Sequence, residues 1–175
     1  MKNNMLYALL MISLLSVWQA DAEGTNTTEW GPLTNHIQMS VSLENGGREI
    51  KLNGIVILLV QFRNVSTNQI FQIVSMDTGR NYDPFFSFDV VSPSGKNVSP
   101  AMESSPTGSF RFIRILSGHN VEMEYELSSR CRFNEVGKYR IVARRSVDSM
   151  ALRKSYLVVS NPFLLSVVTN RLNSN

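Results

Sequence analysis

The sequence has few of the residues that form cross-links, metal sites and catalytic bases. Its 175 residues include one cysteine and two histidines. A single cysteine excludes an intramolecular disulfide, and one cysteine with two histidines gives too few ligands for a structural zinc site. Charged residues make up only 18% of the chain, whereas disordered chains have a high charge density. The length, with 43% hydrophobic residues, fits one folded domain.

Long apolar runs are also scarce, and the one that is present lies at the N-terminus. Lys2 supplies a positive charge, and an apolar run of 14 residues follows from Met5 to Trp18. This run is too short for a membrane-spanning helix but has the length of the apolar region of a signal peptide. Ala20-Asp21-Ala22 then offers the small residues that signal peptidase requires. Residues 1–22 are therefore predicted to be a secretory signal peptide, with an uncleaved anchor or a buried helix as the alternative.

A cleaved signal predicts an exported protein, secreted or periplasmic, that begins at Glu23 and has no stable membrane insertion after cleavage. Residues 23–35 are polar and predict a flexible N-terminal arm with Trp30 as its only anchor. Residues 36–170 form the predicted domain, and residues 171–175 form a tail.

The domain consists of short apolar or alternating segments separated by turn residues, which is the pattern of β-strands. No segment keeps a helical period. This order of strands and turns predicts an all-β fold, an immunoglobulin-like antiparallel β-sandwich of about seven to nine strands. The nine candidate strands are His36–Leu43, Gly54–Asn64, Gln69–Ser75, Pro84–Ser92, Ser109–Leu116, Val121–Leu127, Gly137–Arg145, Ala151–Val159 and Phe163–Thr169.

The immunoglobulin-like assignment depends on short motifs. Glu135-Val136-Gly137-Lys138-Tyr139 opens a late strand and resembles the tyrosine corner of immunoglobulin-like sandwiches. The strand end Asn64-Val65-Ser66 and the turn Val91–Lys96 resemble those of secreted bacterial immunoglobulin-like domains. The chain is thus similar to disulfide-free members of that group and, distantly, to proteinase-inhibitor-like sandwiches. The resemblance implies a hydrogen bond between the Tyr139 hydroxyl and the backbone at the corner, and sheets joined by apolar packing, because Ile141 stands where antibody-type domains have a cysteine.

Candidates for catalysis are few. His36 lies at the start of a strand and His119 in a turn, so we expect both to be solvated or packed rather than catalytic bases. The sequence also lacks the G-x-S-x-G nucleophile elbow. Cys131 lies between Arg130 and Arg132, which favour a reactive thiolate, but strand alternation places it inward and predicts a buried thiol. An odd cysteine in an exported protein leaves pairing between two chains open.

No group of residues has the spacing of a metal site. Asp77, Asn81 and Asp83 offer oxygen atoms to calcium, but Arg80 lies among them and such residues are ordinary turn formers. The methionines that follow the signal are scattered and do not form a copper site: Met39, Met76, Met102, Met123 and Met150. We therefore expect no metal ion and no cofactor. Three N-x-[ST] triplets, at Asn26, Asn64 and Asn97, are assigned no role.

The later strands are basic. They contain Arg111, Arg114, Arg140, Arg144, Arg145, Arg153 and Lys154. We expect a solvated sheet on which Arg140 and Arg144 form cross-strand ion pairs with the acidic stripe Glu122, Glu124 and Glu126. The alternative is a patch for an acidic polysaccharide or an anionic surface. A net charge of only +3 argues against nucleic acid as the partner of an exported protein.

These observations predict a binding or interaction module without enzymatic activity, whose protein or glycan ligand the sequence does not identify. The expected contact segments are an exposed sheet edge or the loops Asp77–Asp83 and Pro100–Gly108, because long irregular connections on a rigid scaffold commonly carry sites. The alternative is a secreted or periplasmic proteinase inhibitor that presents such a loop, which predicts stoichiometric loss of protease activity. An enzymatic function is the third and least favoured hypothesis. The oligomeric state is left open.

Overall fold

The computed structural model describes residues 28–77, 85–100 and 109–169. Several predicted features lie outside the described residues: the signal peptide (1–22), the loop residues Asn81 and Asp83, the side chains of Met76 and Asp77, most of the loop Pro100–Gly108, and the tail 171–175. Asn26 and Met102 also lie outside them. The described chain forms strands and one short 3-10 turn, Leu127–Ser129.

Each of the nine predicted segments overlaps a strand, and one further short strand, β2, has no counterpart in the prediction. The bounds are β1 Ile37–Leu43, β2 Glu49–Lys51, β3 Ile57–Asn64, β4 Phe71–Asp77, β5 Phe86–Val91, β6 Ser109–Ile115, β7 Asn120–Glu126, β8 Gly137–Ser149, β9 Lys154–Val159 and β10 Phe163–Val168. No helix in the described part of the chain is long and apolar enough to cross a membrane.

The strands form two sheets, which confirms the predicted all-β sandwich. The smaller sheet has the order β1-β3-β7, and the larger sheet has the order β2-β10-β8-β4-β6. The long strand β8 also pairs with β5 and β9. All pairs between named strands are antiparallel except β2 with β10, which is parallel. The sandwich thus has one more strand and one more pairing mode than predicted.

The two sheets enclose one core because their strands alternate between buried and more exposed positions. In β3, the inward residues Leu58, Val60 and Phe62 are fully buried. Aromatic rings join the sheets, since the centroids of Phe88 on β5 and Tyr125 on β7 lie 4.5 Å apart. These apolar contacts hold the sheets together without a disulfide.

The predicted tyrosine corner has the hydrogen bond that the resemblance implies. The hydroxyl of buried Tyr139 accepts a hydrogen bond from the backbone N–H of Glu135 at 3.0 Å. Gly137 between them has a φ of 133°, and a Cβ atom at this position would lie 2.9 Å from the Pro93 Cβ. Position 137 therefore requires glycine for its backbone conformation and for the close approach of the Val91–Lys96 turn.

The carboxylate of Glu135 joins the corner to that same turn. It accepts hydrogen bonds from the Ser94 hydroxyl and the Ser94 backbone N–H, each at 3.2 Å. These hydrogen bonds, with the nearby positive charge of Lys96, lower the pKa of Glu135 below its ordinary value. The acidic residue of the motif thus fastens the turn to the start of β8.

The described end of the N-terminal arm contacts the sandwich at several points. The Trp30 ring lies 4.4 Å from the guanidinium carbon of Arg63. The Gly31 N–H donates to the Met39 carbonyl at 2.8 Å, and the Gln38 side chain donates to the Gly31 carbonyl. Trp30 is therefore one of several anchors for residues 28–35.

A buried amide fixes the connection between β3 and β4. The Asn64 side chain is 1% exposed, and its Nδ2 donates to the carbonyls of Gln69 and Ile115 at 2.7 and 3.2 Å. Its Oδ1 accepts hydrogen bonds from the Ser66 N–H and hydroxyl. Because the nitrogen that would be glycosylated is buried and bonded, the Asn64 triplet is closed to modification in the folded protein.

Candidate functional site

Strand β6 exposes large aromatic side chains. Phe110 and Phe112 are 59% and 63% exposed. Antiparallel pairing places Phe112 opposite Val74 of β4, while the neighbouring Ile113 lies opposite fully buried Ile73. Since residues directly opposite each other point to the same face, the two phenylalanines lie on the outer face of the larger sheet.

A third ring extends this surface. Phe85 precedes β5, is 40% exposed, and has its ring centroid 6.0 Å from that of Phe110. We call Phe85, Phe110 and Phe112 the aromatic patch. Single exposed apolar residues are common in proteins, but adjoining aromatic ones indicate an interaction surface.

The aromatic patch adjoins both loops that the sequence singles out. Asp77 at the end of β4 pairs with Ser109 at the start of β6. The chain therefore enters residues 78–84 and leaves residues 101–108 at the same place on the sandwich. Phe85 is the first described residue after the former loop. The ends of the two expected contact segments are thus brought together beside the patch.

A buried arginine underlies the aromatic patch, contrary to the predicted solvated basic sheet. Arg145 is 1% exposed. Its guanidinium carbon lies 4.5 Å from the Phe86 ring centroid and 5.2 Å from that of Phe85. Its Nη2 donates to the Val74 carbonyl. The β4–β8 ladder contains only the pairs of Phe71 and Gln72, so Arg145 bridges the two strands where they diverge.

The predicted ion pairs between the acidic stripe and Arg140 or Arg144 are wrong. The acidic stripe lies on β7 in the smaller sheet, whereas both arginines lie on β8 in the larger sheet. Arg144 instead pairs with Asp89 of β5 at 2.5 Å. Among the described residues, the only hydrogen bond to a carboxylate of the stripe joins the Gln61 Nε2 to Glu122 at 2.5 Å.

The two histidines lie at one end of the sandwich, and both are exposed. The carbonyl of His36 accepts a hydrogen bond from Val65, and the carbonyl of His119 accepts one from Asn64. The His119 Nδ1 lies 2.8 Å from the Ser117 carbonyl. Within the described ranges, no three His, Cys, Asp or Glu residues are placed to hold a metal ion.

Cys131 is a buried thiol, as predicted, although Leu127–Ser129 forms a 3-10 turn rather than the strand on which that prediction rested. It is 3% exposed, and its Sγ lies 3.0 Å from the Val98 carbonyl, to which it donates. Burial raises the pKa of Cys131 to about 12. The flanking arginines therefore do not produce a reactive thiolate.

The sequence pattern predicts strand β6 but not that its aromatic side chains form an exposed surface. The segment Ser109–Ile115 reads SFRFIRI. A strand with one solvated face normally has polar residues there, but both alternating sets of this segment contain large apolar residues. Large apolar residues in both alternating sets are the sequence signal of this exposed aromatic surface.

The comparison with protein-family models finds no match, and neither does the comparison with curated protein sequences. Among solved structures, the chain is similar to a mutant β-glucosidase from Listeria innocua in complex with laminaribiose, at 13% identity and a TM-score of 0.39, over 75% of this chain and 16% of that one. It is also similar to Spo0M, a sporulation control protein from Bacillus subtilis, at 11% identity and a TM-score of 0.33, over 75% of this chain and 49% of that one. The chain thus spans about 16% of the glucosidase and about half of Spo0M.

Proposed function

We propose that this protein is an exported, non-enzymatic interaction module with an immunoglobulin-like sandwich, and that it binds a partner protein through the aromatic patch. The proposal rests on one observation: three adjoining phenylalanines are exposed beside the ends of two loops, and two of them lie on the outer face of an edge strand. Aromatic residues and arginine are enriched in the centres of protein interfaces. Arg114 shares the outer face with Phe110 and Phe112.

A protein partner is favoured over a glycan by the chemistry of the aromatic patch. Phenylalanine offers apolar area but no hydroxyl or N–H group, and sugars need convergent hydrogen bonds as well as stacking. An apolar protein surface needs only complementary shape and burial, which contributes about 25 cal/mol per Å² of apolar area removed from water.

Other parts of the proposal rest on the sequence. The immunoglobulin-like type is supported by the corner motif and the hydrogen bond from Glu135 to Tyr139. Export is supported by the pattern of residues 1–22. The non-enzymatic assignment is supported by the scarcity of histidine and cysteine and by the absence of a G-x-S-x-G elbow from the sequence.

The proposal is tested by affinity capture from the medium or periplasm of the producing cell, with the protein and two variants as baits. Phe110→Ser combined with Phe112→Ser removes the centre of the aromatic patch. Leu157→Ser is the matched control, because Leu157 is 58% exposed on the outer face of β9. Circular dichroism first establishes that the variants fold.

We expect one partner protein to be retained by the wild-type protein and by Leu157→Ser, and to be lost from the patch variant. Equal recovery on all three baits would contradict the proposal. A glycan array probed with the same three proteins tests the other ligand class. Glycan binding that is lost from the patch variant alone would identify a glycan, rather than a protein, as the ligand of the aromatic patch.

A further inference from the structure

Strands β6 and β7 each end one sheet, and each has a long edge that no other described strand covers. Strand β6 pairs only with β4, and β7 pairs only with β3. Each has seven residues and contains neither proline nor glycine. A long edge of this kind presents unpaired backbone N–H and C=O groups to another strand.

The two edges lie on the same side of the sandwich. The chain passes from β6 to β7 through the four residues 116–119, so the strands run in opposite directions, one in each sheet. Asn64 contacts the end of β6 and the residue before β7, where the chain passes from one sheet to the other. Its side chain donates to the Ile115 carbonyl, and its N–H donates to the His119 carbonyl. Three partly buried hydrophobic residues lie along this side: Ile113, Val121 and Met123.

The charges of the two edges are opposite. On the outer faces, β6 contains Arg114 and β7 contains the acidic stripe. Arg111 pairs with buried Ser75 and shares the inward face of β6 with Ile113. Within the described part of the chain, neither arginine has a carboxylate within 4.0 Å. Like charges facing each other destabilise paired strands and opposite charges stabilise them. Two β6 edges or two β7 edges therefore repel, and β6 with β7 attracts.

We propose that two copies of this chain form a two-fold dimer in which β6 of each copy pairs with β7 of the other. A rotation axis parallel to the strands exchanges the two sheets, so both β6–β7 pairings form at once. Because β6 and β7 of one copy run in opposite directions, each pairing is antiparallel. The contact covers both edges and closes, which prevents extension into a fibre.

The dimer continues the core as well as the sheets. Inward residues Ile113 of one copy and Val121 and Met123 of the other come to lie side by side, while Arg114 lies on the same face as the acidic stripe. The aromatic patch stays on the outer face. The dimer therefore does not rest on the proposed function, which concerns the outer face rather than the backbone edges.

The dimer is tested by light scattering coupled to size-exclusion chromatography of the purified protein and two charge-reversed variants. One variant carries Arg114→Glu, and the other carries Glu122→Arg and Glu124→Arg. We expect a wild-type dimer, and a dissociation constant raised by about 100-fold or more in each variant alone. An equimolar mixture of the two variants should form a 1:1 dimer, because each edge then meets its opposite charge.

Arg140→Glu is the matched control, because Arg140 is exposed on β8 away from both edges, and it should leave the dimer intact. Any of three results would overturn the proposal. The wild-type protein could be a monomer even at 100-fold the concentration used for folding measurements, neither charge reversal could affect the dimer, or the mixture of variants could stay monomeric. If a variant does not fold, hydrogen exchange of the wild-type protein decides. Exchange that slows with concentration only in β6 and β7 supports the dimer, and exchange independent of concentration overturns it.

Discussion

Tyr139 and Cys131 show how far single residues can be understood from the sequence alone. The motif around Tyr139 predicts the corner hydrogen bond because it resembles the tyrosine corner of immunoglobulin-like sandwiches. The burial of Cys131 is also predicted correctly, but from a strand alternation that ends before Leu127, where a 3-10 turn begins. In contrast, nothing local predicts the burial of Arg145, since its environment depends on where β4 leaves β8.

Replacing Tyr139 with phenylalanine tests the corner. The Glu135 N–H then loses its acceptor while the ring keeps its packing against Phe133. We expect the free energy of unfolding to fall by about 1–3 kcal/mol. Tyr156→Phe is the control, because the Tyr156 hydroxyl makes no hydrogen bond among the described residues, and it should change stability by less than about 0.5 kcal/mol. Equal effects of the two substitutions in urea denaturation would contradict this account.

Cys131 should make stability depend on alkaline pH. Its folded pKa of about 12 lies above the ordinary value of 9.0, so the folded protein keeps the proton that the unfolded chain loses. The contribution is therefore complete below pH 9 and is lost between pH 9 and 12, at no more than about 1.4 kcal/mol per pH unit. Cys131→Ala should remove this part of the pH dependence, measured by urea denaturation from pH 8 to 11. Parallel curves for the two proteins would contradict it.

At the scale of strands, the sequence predicted positions well and partners poorly. Alternation and turn residues located nine strands because these signals are local. The three-residue strand β2 has too few positions to show alternation, and it is defined by its parallel pairing with β10. The acidic stripe lies in one sheet, and Arg140 and Arg144 lie in the other. This arrangement depends on contacts between distant segments, which no local pattern encodes.

Asn64→Asp tests the link between β3, β4 and β6. The substitution replaces the Nδ2 donor by an oxygen, which removes one hydrogen bond from each of the Gln69 and Ile115 carbonyls and buries a charge. We expect a loss of at least about 3 kcal/mol of unfolding free energy at neutral pH. Asn97→Asp is the matched control, because Asn97 is exposed and its Oδ1 already serves as an acceptor for Ser99. A similar loss in both variants, measured by thermal and urea unfolding, would contradict this role of Asn64.

For the whole molecule, the sequence predicts export and the composition predicts a single domain. If residues 1–22 are a signal peptide, the protein recovered from the producing cell begins at Glu23. Intact-mass measurement of that protein checks this prediction, and Ala22→Leu, which places a large residue at the cleavage site, should leave the longer chain. Recovery of the full-length chain from the wild-type sequence would contradict cleavage.

The central claim, that the aromatic patch contacts a partner protein, is tested most directly by site-specific photo-crosslinking. A photoreactive phenylalanine analogue is placed at position 112 in one protein and at position 157 in another, and both are irradiated in the medium or periplasm of the producing cell. The account predicts a crosslink from position 112 to one protein other than the chain itself, and none from position 157. The same products from both positions, or none from position 112, would contradict it.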